Sequence, residues 1–411
     1  MQRRNLKALK MQLLRRWKDN RIIRIAVLVF LALAAAVSIW QGARNAVEFS
    51  QDFQWDAAKA LAEGIDPYEL SHDSNVSNAL PAELAEFYRM FTDRGLKQEM
   101  EANQFPSLLM LLFPMTLFDP FLAKVIWLVL NLLFSAGIII LLRKTFFENA
   151  DICEYSVVAL LMLAGTPYRN QLGVGQHTLF AFFFFMLAVY LDKTDKNSGF
   201  VRSILISFCL FVSYFKYTLT GVLALYFLYR KRYKELAVSV AAHVILTEVF
   251  ALRLGKSFWY MIKAPLEVAS NLASEGGIDL GVFIKSPFCY IPAFIIAVLL
   301  VIISVKIPEN NECLLFSTLV LWSLILTYHR TYDFFVLSAV SAVFCTKDGT
   351  AKEESTPAMF TVYAILLAAA YFGLRVFNEN TGSKIVVGII YYSFTVALTY
   401  IAVKRGLKGN D

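Results

Sequence analysis

The chain has 411 residues, of which 58% are hydrophobic and 15% aromatic, and its formal net charge is +7. A soluble globular domain is typically about 45–50% apolar, so this composition excludes an ordinary soluble domain and indicates a polytopic integral membrane protein. The positive charge does not indicate a nucleic-acid-binding surface, because Lys and Arg cluster at the ends of apolar segments, as topology signals do.

The N-terminal segment, residues 1–21, is rich in Lys and Arg and precedes an apolar run at 22–40. Basic residues beside a span favour the cytoplasmic side, and the long basic region without a small-residue cleavage site argues against a signal peptide. We therefore expect a cytoplasmic N-terminus and a retained first transmembrane helix. Residues 22–411 are expected to form a single membrane domain, with the polar segment 41–103 on the extracytoplasmic side.

The most distinctive part of that polar segment is the stretch 52–68. Small and apolar residues at 57–62 predict a short helix that ends at Gly64. If this helix starts early, Asp52 and Asp56 share one face, and a carboxylate at the edge of the membrane suits a general base. A helix cap formed by Asp52 and a solvated Asp56 explain the pattern about as well. A second short helix is predicted at 81–94.

The remaining apolar segments predict an all-α fold of about 12 transmembrane helices. After the first helix, the predicted spans are 121–142, 156–166, 179–191, 200–214, 218–229, 236–254, 288–305, 314–327, 334–344, 358–377 and 385–403. The segment 105–118 is short and contains two prolines, which favours a re-entrant or shallow helix. The basic run 230–234 marks the cytoplasmic side. Counting spans outward from this run places the loops 167–178, 256–285 and 328–333 on the same outer side as Asp52.

Polar residues in two of these loops are candidates for a binding site. Arg169, Gln171 and Gln176 lie in a glycine-bearing loop that suits either ligand binding or a simple connecting turn. The run 328–333 contains His329, Arg330, Tyr332 and Asp333, and such a cluster between apolar helices favours a functional role.

Lys216 lies inside an otherwise apolar stretch. An uncompensated cation there is unfavourable, so we expect either an anion or a water-filled cavity nearby, or a side chain that reaches the membrane interface. Metal chemistry is not indicated, because no Asp-X-Asp sequence and no paired histidines with ligand spacing occur. No metal and no cofactor are therefore expected. Five scattered cysteines indicate packing residues rather than a disulfide framework or a zinc site.

Six short motifs follow one another along the chain. Asp-Phe at 52–53 precedes Gly-Ile-Asp-Pro-Tyr at 64–68, and Phe-Pro-Ser-Leu-Leu follows at 105–109. Gly-Val-Gly-Gln, Phe-Lys-Tyr-Thr and His-Arg-Thr-Tyr-Asp stand at 173–176, 215–218 and 329–333. In this order and spacing, the sequence resembles glycosyltransferase family 87, a GT-C family that includes bacterial polyprenyl-phosphate-mannose-dependent mannosyltransferases.

The resemblance implies a GT-C-like architecture with an extracytoplasmic active site, a lipid-linked monosaccharide phosphate donor and inversion at the anomeric carbon. It places a catalytic Asp in the first outer loop, where Asp52 matches. Asp56 stands where many members carry an aromatic residue, so both carboxylates remain candidates for the base. Lys216, Arg169, His329 and Arg330 would stabilise the leaving phosphate. The residues expected to contact the substrates are Tyr68, Gln171, Gln176, Tyr332 and Asp333.

The expected partners are a polyprenyl-phosphate sugar, a glycolipid or glycan acceptor and the lipid bilayer of the cell membrane, without nucleic acid. The alternative is a lipid-linked oligosaccharide flippase or another polytopic transporter. A transporter more often has inverted repeats and charges at mid-span, whereas the polar residues of this chain gather on one side. A non-catalytic scaffold of the cell envelope is a third hypothesis, and it predicts that Asp52→Asn leaves the phenotype intact.

Overall fold

The computed structural model describes residues 21–50, 52–68, 102–194, 199–272, 277–284, 288–345 and 381–408. These residues are almost entirely helical. The α-helices are, in chain order, α1 (Arg21–Glu48), α2 (Trp55–Glu63), α3 (Pro106–Leu109), α4 (Pro120–Phe146), α5 (Ile152–Ala164), α6 (Thr166–Val174), α7 (Thr178–Thr194), α8 (Phe200–Ser213), α9 (Tyr217–Leu223), α10 (Leu225–Tyr229), α11 (Tyr233–Arg253), α12 (Phe258–Leu272), α13 (Leu280–Phe283), α14 (Tyr290–Lys306), α15 (Glu312–Leu326), α16 (Leu337–Val340) and α17 (Thr381–Lys408). Short 3₁₀ helices cover Met110–Leu117, Tyr214–Lys216, Glu309–Asn311, Thr331–Val336 and Ser341–Phe344.

Five of the described helices are long and apolar enough to cross a membrane. They are α1, α4, the joined helices α8 and α9, α11, and most of α17. A sixth span results if α6 and α7, which meet at an angle of 110°, are counted together. The expectation of an all-α membrane protein is confirmed. The expectation of about 12 spans stays a prediction, since the predicted span 358–377 lies outside the described residues. The predicted short helix at 81–94 also lies outside them.

Several segments that the sequence marks as apolar form helices too short to cross alone. They are Pro106–Leu117, Ile152–Ala164, Tyr290–Lys306 and Thr331–Val343. At about 1.5 Å of rise per residue, a straight crossing of the hydrocarbon core needs about 20 residues. The Pro106–Leu117 segment is as short as the expected shallow or re-entrant helix. Pro114 interrupts it, and most of it is 3₁₀ helix.

The ends of the helices follow from local sequence. Asp119 and Asp151 cap α4 and α5 by accepting hydrogen bonds from backbone N–H groups of the first turn. The predicted stop of α2 is confirmed. Gly64 adopts a left-handed conformation with φ of 83°, and its N–H donates to the last carbonyl groups of the helix.

Two predicted loops are wrong, because each contains a helix. The segment 167–178 forms most of α6, and Pro167 is tolerated there because it lies in the first turn, where its missing N–H has no partner to lose. The segment 256–285 contains α12 and α13. Both helices contain polar residues and are too short to be recognised as spans from hydropathy.

Glycines bring α1 and α6 into close contact. A Cβ atom at Gly42 would stand 2.9 Å from the carbonyl oxygen of Arg169, and one at Gly173 would stand 3.0 Å from the Cβ of Asn45. Small residues allow helices to approach in this way. Gly173 therefore packs closely against α1.

The helix α15 is the centre of the molecule, since each of its residues is buried. It packs against α9, α16 and α17. The helix α7 runs beside this core and connects two polar regions. Thr178 at its first residue bonds to Asp333, and Asp192 near its last turn pairs with Arg230 and Arg232. A helix of this length separates the two regions by roughly 25 Å.

Candidate active site

Asp52 lies in a tight turn just before α2. Its backbone N–H donates to the carbonyl oxygen of Val174 at 2.9 Å, which ties the turn to the end of α6. Gln54 takes a left-handed conformation and α2 begins at Trp55. Asp52 is therefore not the residue that caps the helix, and it does not share a helical face with Asp56. Its side chain is half-buried.

Aromatic stacking fixes this turn against α4. The ring of Phe53 stacks on Trp127, with a centroid distance of 5.1 Å, and the Trp127 indole donates to the carbonyl oxygen of Gly175 at 2.8 Å. His177 approaches the carbonyl oxygen of Phe53 through Nε2 at 3.0 Å. The Asp52 turn and the turn between α6 and α7 are thus held together as one unit.

Gln176 connects Asp52 to the late motif of the chain. Gly175, with φ of 68°, turns the backbone between α6 and α7, and Gln176 follows it. The Gln176 amide donates to Tyr332 Oη at 3.1 Å and lies 3.4 Å from Asp52 Oδ2. Gln171 donates to the Gln176 carbonyl oxygen at 2.6 Å and supports the turn from below.

Lys216 is buried inside the protein. Its Nζ lies 3.4 Å from Asp333 Oδ2, and both side chains are at most 10% exposed. The same Nζ stands 5.6 Å from the centre of the Tyr332 ring. Lys216 therefore has the anionic neighbour that a cation in an apolar stretch requires. Tyr332 is thus close to this ion pair and, through Gln176, to Asp52.

Asp333 gathers the polar groups of three elements. Its Oδ2 accepts from His329 Nδ1 at 2.9 Å, and its Oδ1 accepts from the Thr178 hydroxyl. Burial raises the pKa of this carboxyl, but the charges of Lys216 and His329 outweigh burial and hold the pKa below its usual value. Asp333 is thus an ionised anchor that contacts both Lys216 and His329.

The structure does not bring Arg169 and Arg330 to this cluster. Arg169 donates to Gln41 of α1 at 2.9 Å, on the side of α6 that faces α1. Arg330 donates to the hydroxyl of Tyr328 at 2.5 Å. For these two residues, phosphate binding stays a prediction from the sequence.

Asp56 and Tyr68 belong to the neighbouring surroundings of α2. Asp56 is buried, not solvated, and its Oδ1 accepts from the N–H of Ala57 at 3.0 Å. Tyr68 donates to the carbonyl oxygen of Gln104 at 2.7 Å. Burial and then the charge of Asp66 raise the pKa of Tyr68 well above its usual value, so its hydroxyl remains a donor.

An apolar cavity of about 290 Å³ adjoins the residue that follows Lys216. It lies among α3, the 3₁₀ helix Tyr214–Lys216, α9, α11 and α12, and Tyr214 and Tyr217 form part of its wall. The other lining residues are Phe105, Ser107, Leu108, Val240, His243, Val244, Thr247 and Ile262. His243 is satisfied within this wall, because its ring nitrogens lie 3.0 Å from Ser107 Oγ and from the carbonyl oxygen of Phe211.

Sequence reasoning missed Trp127, His177 and Thr178. His177 and Thr178 directly follow the Gly-Val-Gly-Gln motif, so extending that motif by two residues would have found them. Trp127 carries no local signal, because a Trp in an apolar helix is ordinary.

A sequence model of glycosyltransferase family 87 matches residues 106–347, which is more than half of the chain. Comparisons with curated proteins and with solved structures found no match. The matched region contains Gln176, Lys216, His329 and Asp333, while Asp52 lies before it. The chain therefore belongs to glycosyltransferase family 87, and it is a membrane glycosyltransferase.

Proposed function

We propose that the enzyme transfers one sugar from a polyprenyl-phosphate donor to a glycolipid or glycan acceptor, with inversion at the anomeric carbon. Mannose is the sugar that we favour. The observation that carries this proposal is that Tyr332 lies close both to Lys216 and to the Gln176 amide beside Asp52. A single displacement needs a base for the acceptor and a cation for the leaving phosphate, and these two residues supply them.

In the proposed step, the acceptor hydroxyl attacks the anomeric carbon while Asp52 takes its proton. The bond between that carbon and the phosphate oxygen breaks, and the oxygen keeps both electrons. Lys216, with His329 beside it, stabilises the growing negative charge in surroundings of low dielectric. The products are the glycosylated acceptor and the free polyprenyl phosphate. The proposed step involves no metal ion.

The apolar cavity beside Tyr217 supports a donor with a hydrocarbon chain. Tyr214 and Tyr217 flank Lys216 in the sequence and line the cavity. A phosphate at Lys216 would therefore place the first carbons of its chain at the mouth of an apolar space. Apolar chains gain free energy from such burial, at about 0.8 kcal/mol per methylene group.

We also propose that the enzyme lies in the cell membrane with its N-terminus in the cytoplasm and its active site outside. The cluster of Arg230 and Arg232 lies at one end of α7 and the Asp52 site at the other. Since basic residues favour the cytoplasmic side, this arrangement supports an extracytoplasmic site and acceptor.

The test is transfer of radiolabelled mannose from polyprenyl-phosphate mannose, in membranes that contain equal amounts of each variant. Asp52→Asn should lower transfer by about 10²–10⁴-fold, the usual effect of losing a general base. Glu63→Gln, at the exposed end of α2, is the matched control and should keep full transfer. Asp56→Asn separates the two candidate bases, because loss in that variant alone would move the base to Asp56. No wild-type transfer from any polyprenyl-phosphate sugar would overturn the proposed donor class.

A further inference from the structure

A second cavity lies between α1 and the turn that joins α5 to α6, and none of the residues that line it takes part in the proposed step. Its volume is about 400 Å³, within the range of about 300–1,000 Å³ that is typical of small-molecule sites. The helix α1 forms one wall, from Phe30 to Gln41, and the end of α5 with the first turn of α6 forms the other. We call this space the α1 groove.

The two ends of the α1 groove differ in chemistry. Phe30, Leu33 and Val37 line the end nearer the start of α1, and all three side chains are exposed. The other end is polar, because Arg169 of α6 reaches across the groove and donates to Gln41 Oε1 at 2.9 Å. A groove with an apolar end and a cation at the other end suits an amphipathic molecule with an anionic head.

The length of the α1 groove matches one leaflet of a bilayer. Phe30 and Gln41 are 11 residues apart, which corresponds to about 16 Å along a helix. The hydrocarbon core of a bilayer is about 30 Å thick, and α1 is one of the helices that can cross it. A free phosphate ion would contact only the polar end of such a groove. A lipid with an acyl chain would contact its whole length, so we infer a lipid.

The polar end of the groove contains donors that the described residues leave unused. The Ser38 side chain is 5% exposed, and its Oγ has no hydrogen-bond partner in the described part of the chain. A buried hydroxyl without a partner is costly. The Arg169 guanidinium has five N–H donors, and its described side-chain hydrogen bond is the one to the neutral Gln41 amide. Both residues line the groove, so a phosphate and its ester oxygens would satisfy them.

We propose that the α1 groove binds one anionic phospholipid of the surrounding bilayer, with its phosphate at Arg169 and one acyl chain along α1. Charge complementarity selects an anionic headgroup, since no carboxylate of the described residues pairs with the Arg169 cation. The site is distinct from the donor site at Lys216. Arg169 thus binds a phosphate, as the sequence suggests, but the phosphate of a different lipid.

The test measures lipid binding to the full-length protein, purified in detergent and freed of lipid, by native mass spectrometry. Dioleoylphosphatidylglycerol and dioleoylphosphatidylcholine have the same chains, but only the first has a net negative charge. Wild type should bind one phosphatidylglycerol molecule in preference to phosphatidylcholine. Arg169→Gln should weaken binding of phosphatidylglycerol by about tenfold or more, the effect of losing a hydrogen bond to a charged group. Equal binding of both lipids by wild type, or an unchanged preference in Arg169→Gln, overturns the proposal.

Arg44→Gln is the matched control for the headgroup. Arg44 lies near the same end of α1, but it is exposed and pairs with Glu48 at 3.0 Å. Its loss should leave the preference for phosphatidylglycerol unchanged, whereas an equal effect of both arginines would indicate general attraction to anionic lipid and contradict a specific site. Arg169→Lys keeps a cation and should retain part of the preference. It replaces Arg169→Gln if that variant does not fold.

Two alanines of α1 test the place of the acyl chain. Ala34 lines the groove, while Ala32 is exposed outside it. Ala34→Trp should fill the groove and prevent binding of phosphatidylglycerol, and Ala32→Trp should bind it like wild type. Full binding in Ala34→Trp would show that no acyl chain enters the groove, and the proposed phospholipid site would then be wrong.

Kinetics distinguish the phospholipid from the acceptor as the occupant. If Arg169→Gln raised KM for the acceptor and left phosphatidylglycerol binding unchanged, the groove would belong to the acceptor and the proposal would be wrong. Absence of transfer in wild type would overturn the proposed function alone, because lipid binding is measured directly and does not depend on transfer.

Discussion

At Lys216, one side chain has both a structural and a functional role. The Lys216–Asp333 pair is buried, and removal of one partner leaves the other charge uncompensated. The cost of breaking such a pair is about 3–5 kcal/mol, whereas replacing both charges by neutral groups is often harmless. This difference allows the two roles of Lys216 to be separated by experiment.

Lys216→Met is predicted to lower both thermal stability and transfer. In the double variant Lys216→Met with Asp333→Asn, stability should return towards wild type because no buried charge is left alone. Transfer should stay low, since the phosphate has still lost its cation. Thermal unfolding in detergent and radiolabelled transfer measure the two effects. If transfer returned together with stability, Lys216 would be an anchor of the fold only.

At this scale the sequence predicts which residues are unusual, but not where their side chains point. Lys216, His329 and Asp333 are recognisable because charged groups in apolar segments need partners, and the structure brings the three together. Arg169 looks equally suitable in the sequence. Its position on α6 directs it to Gln41. The sequence does not predict on which face of α6 Arg169 lies, because α6 lacks clear hydrophobic periodicity.

Among the elements, the turn between α6 and α7 has the greatest effect on the site. Gly175 combines a positive φ with a near neighbour, because a Cβ atom there would lie 3.0 Å from Ser50 Oγ. The turn also carries Gln176, and the carbonyl oxygen of Gly175 accepts a hydrogen bond from the Trp127 indole. A change at Gly175 should therefore reach Asp52 through Gln176.

Gly175→Ala is predicted to lower the free energy of unfolding by about 1–2 kcal/mol, the cost of a left-handed residue with a Cβ, and to reduce kcat. Two other glycines separate the causes. Gly255 has a positive φ of 63° but open space, and Gly199 has neither constraint. Gly255→Ala should lose stability but keep kcat, and Gly199→Ala should be close to wild type. Equal kcat in all three variants, after correction for folded protein, would show that the turn does not position the site.

The elements themselves were predictable where hydropathy is uniform. The long helices α1, α4, α11 and α17 appear at the expected places. The helices α6 and α12 were missed, since α6 is polar over most of its length and α12 lies in a segment assigned to a loop by its charges. In such segments tertiary packing determines the backbone conformation, and the local sequence predicts it poorly.

For the whole molecule, the orientation in the membrane is open to direct measurement. We expect Lys231, beside the Asp192 cluster, to face the cytoplasm and Glu63, at the end of α2, to face outward. Both residues are exposed. Lys231→Cys and Glu63→Cys, placed singly in a chain without its native cysteines, should differ in reactivity with a membrane-impermeant maleimide. In intact cells Glu63→Cys should react and Lys231→Cys should react only after the membrane is permeabilised. The reverse pattern would place the active site in the cytoplasm.

Composition alone indicates a membrane protein, because the chain contains many apolar segments long enough to span a bilayer. The number of spans does not follow. A hydropathy profile treats α15 like a helix in lipid, yet each residue of α15 is buried within the protein. A short helix enclosed by other helices can be apolar without crossing the membrane. Only the contacts with its neighbours distinguish it from a membrane-spanning helix.

The enclosure of α15 has a consequence for biosynthesis. Trp322 of α15 donates to Thr399 of α17 at 2.9 Å, and Tyr392 donates to the carbonyl oxygen of Ile325 at 3.1 Å. At roughly 5–20 residues per second, the ribosome needs several seconds to reach the end of α17 after it has completed α15. During that interval the nascent chain has one side of its central helix uncovered. We therefore expect cellular quality control to recognise α15 as an unassembled membrane segment until α17 packs against it. Failure of α17 to pack should then lead to degradation of the chain.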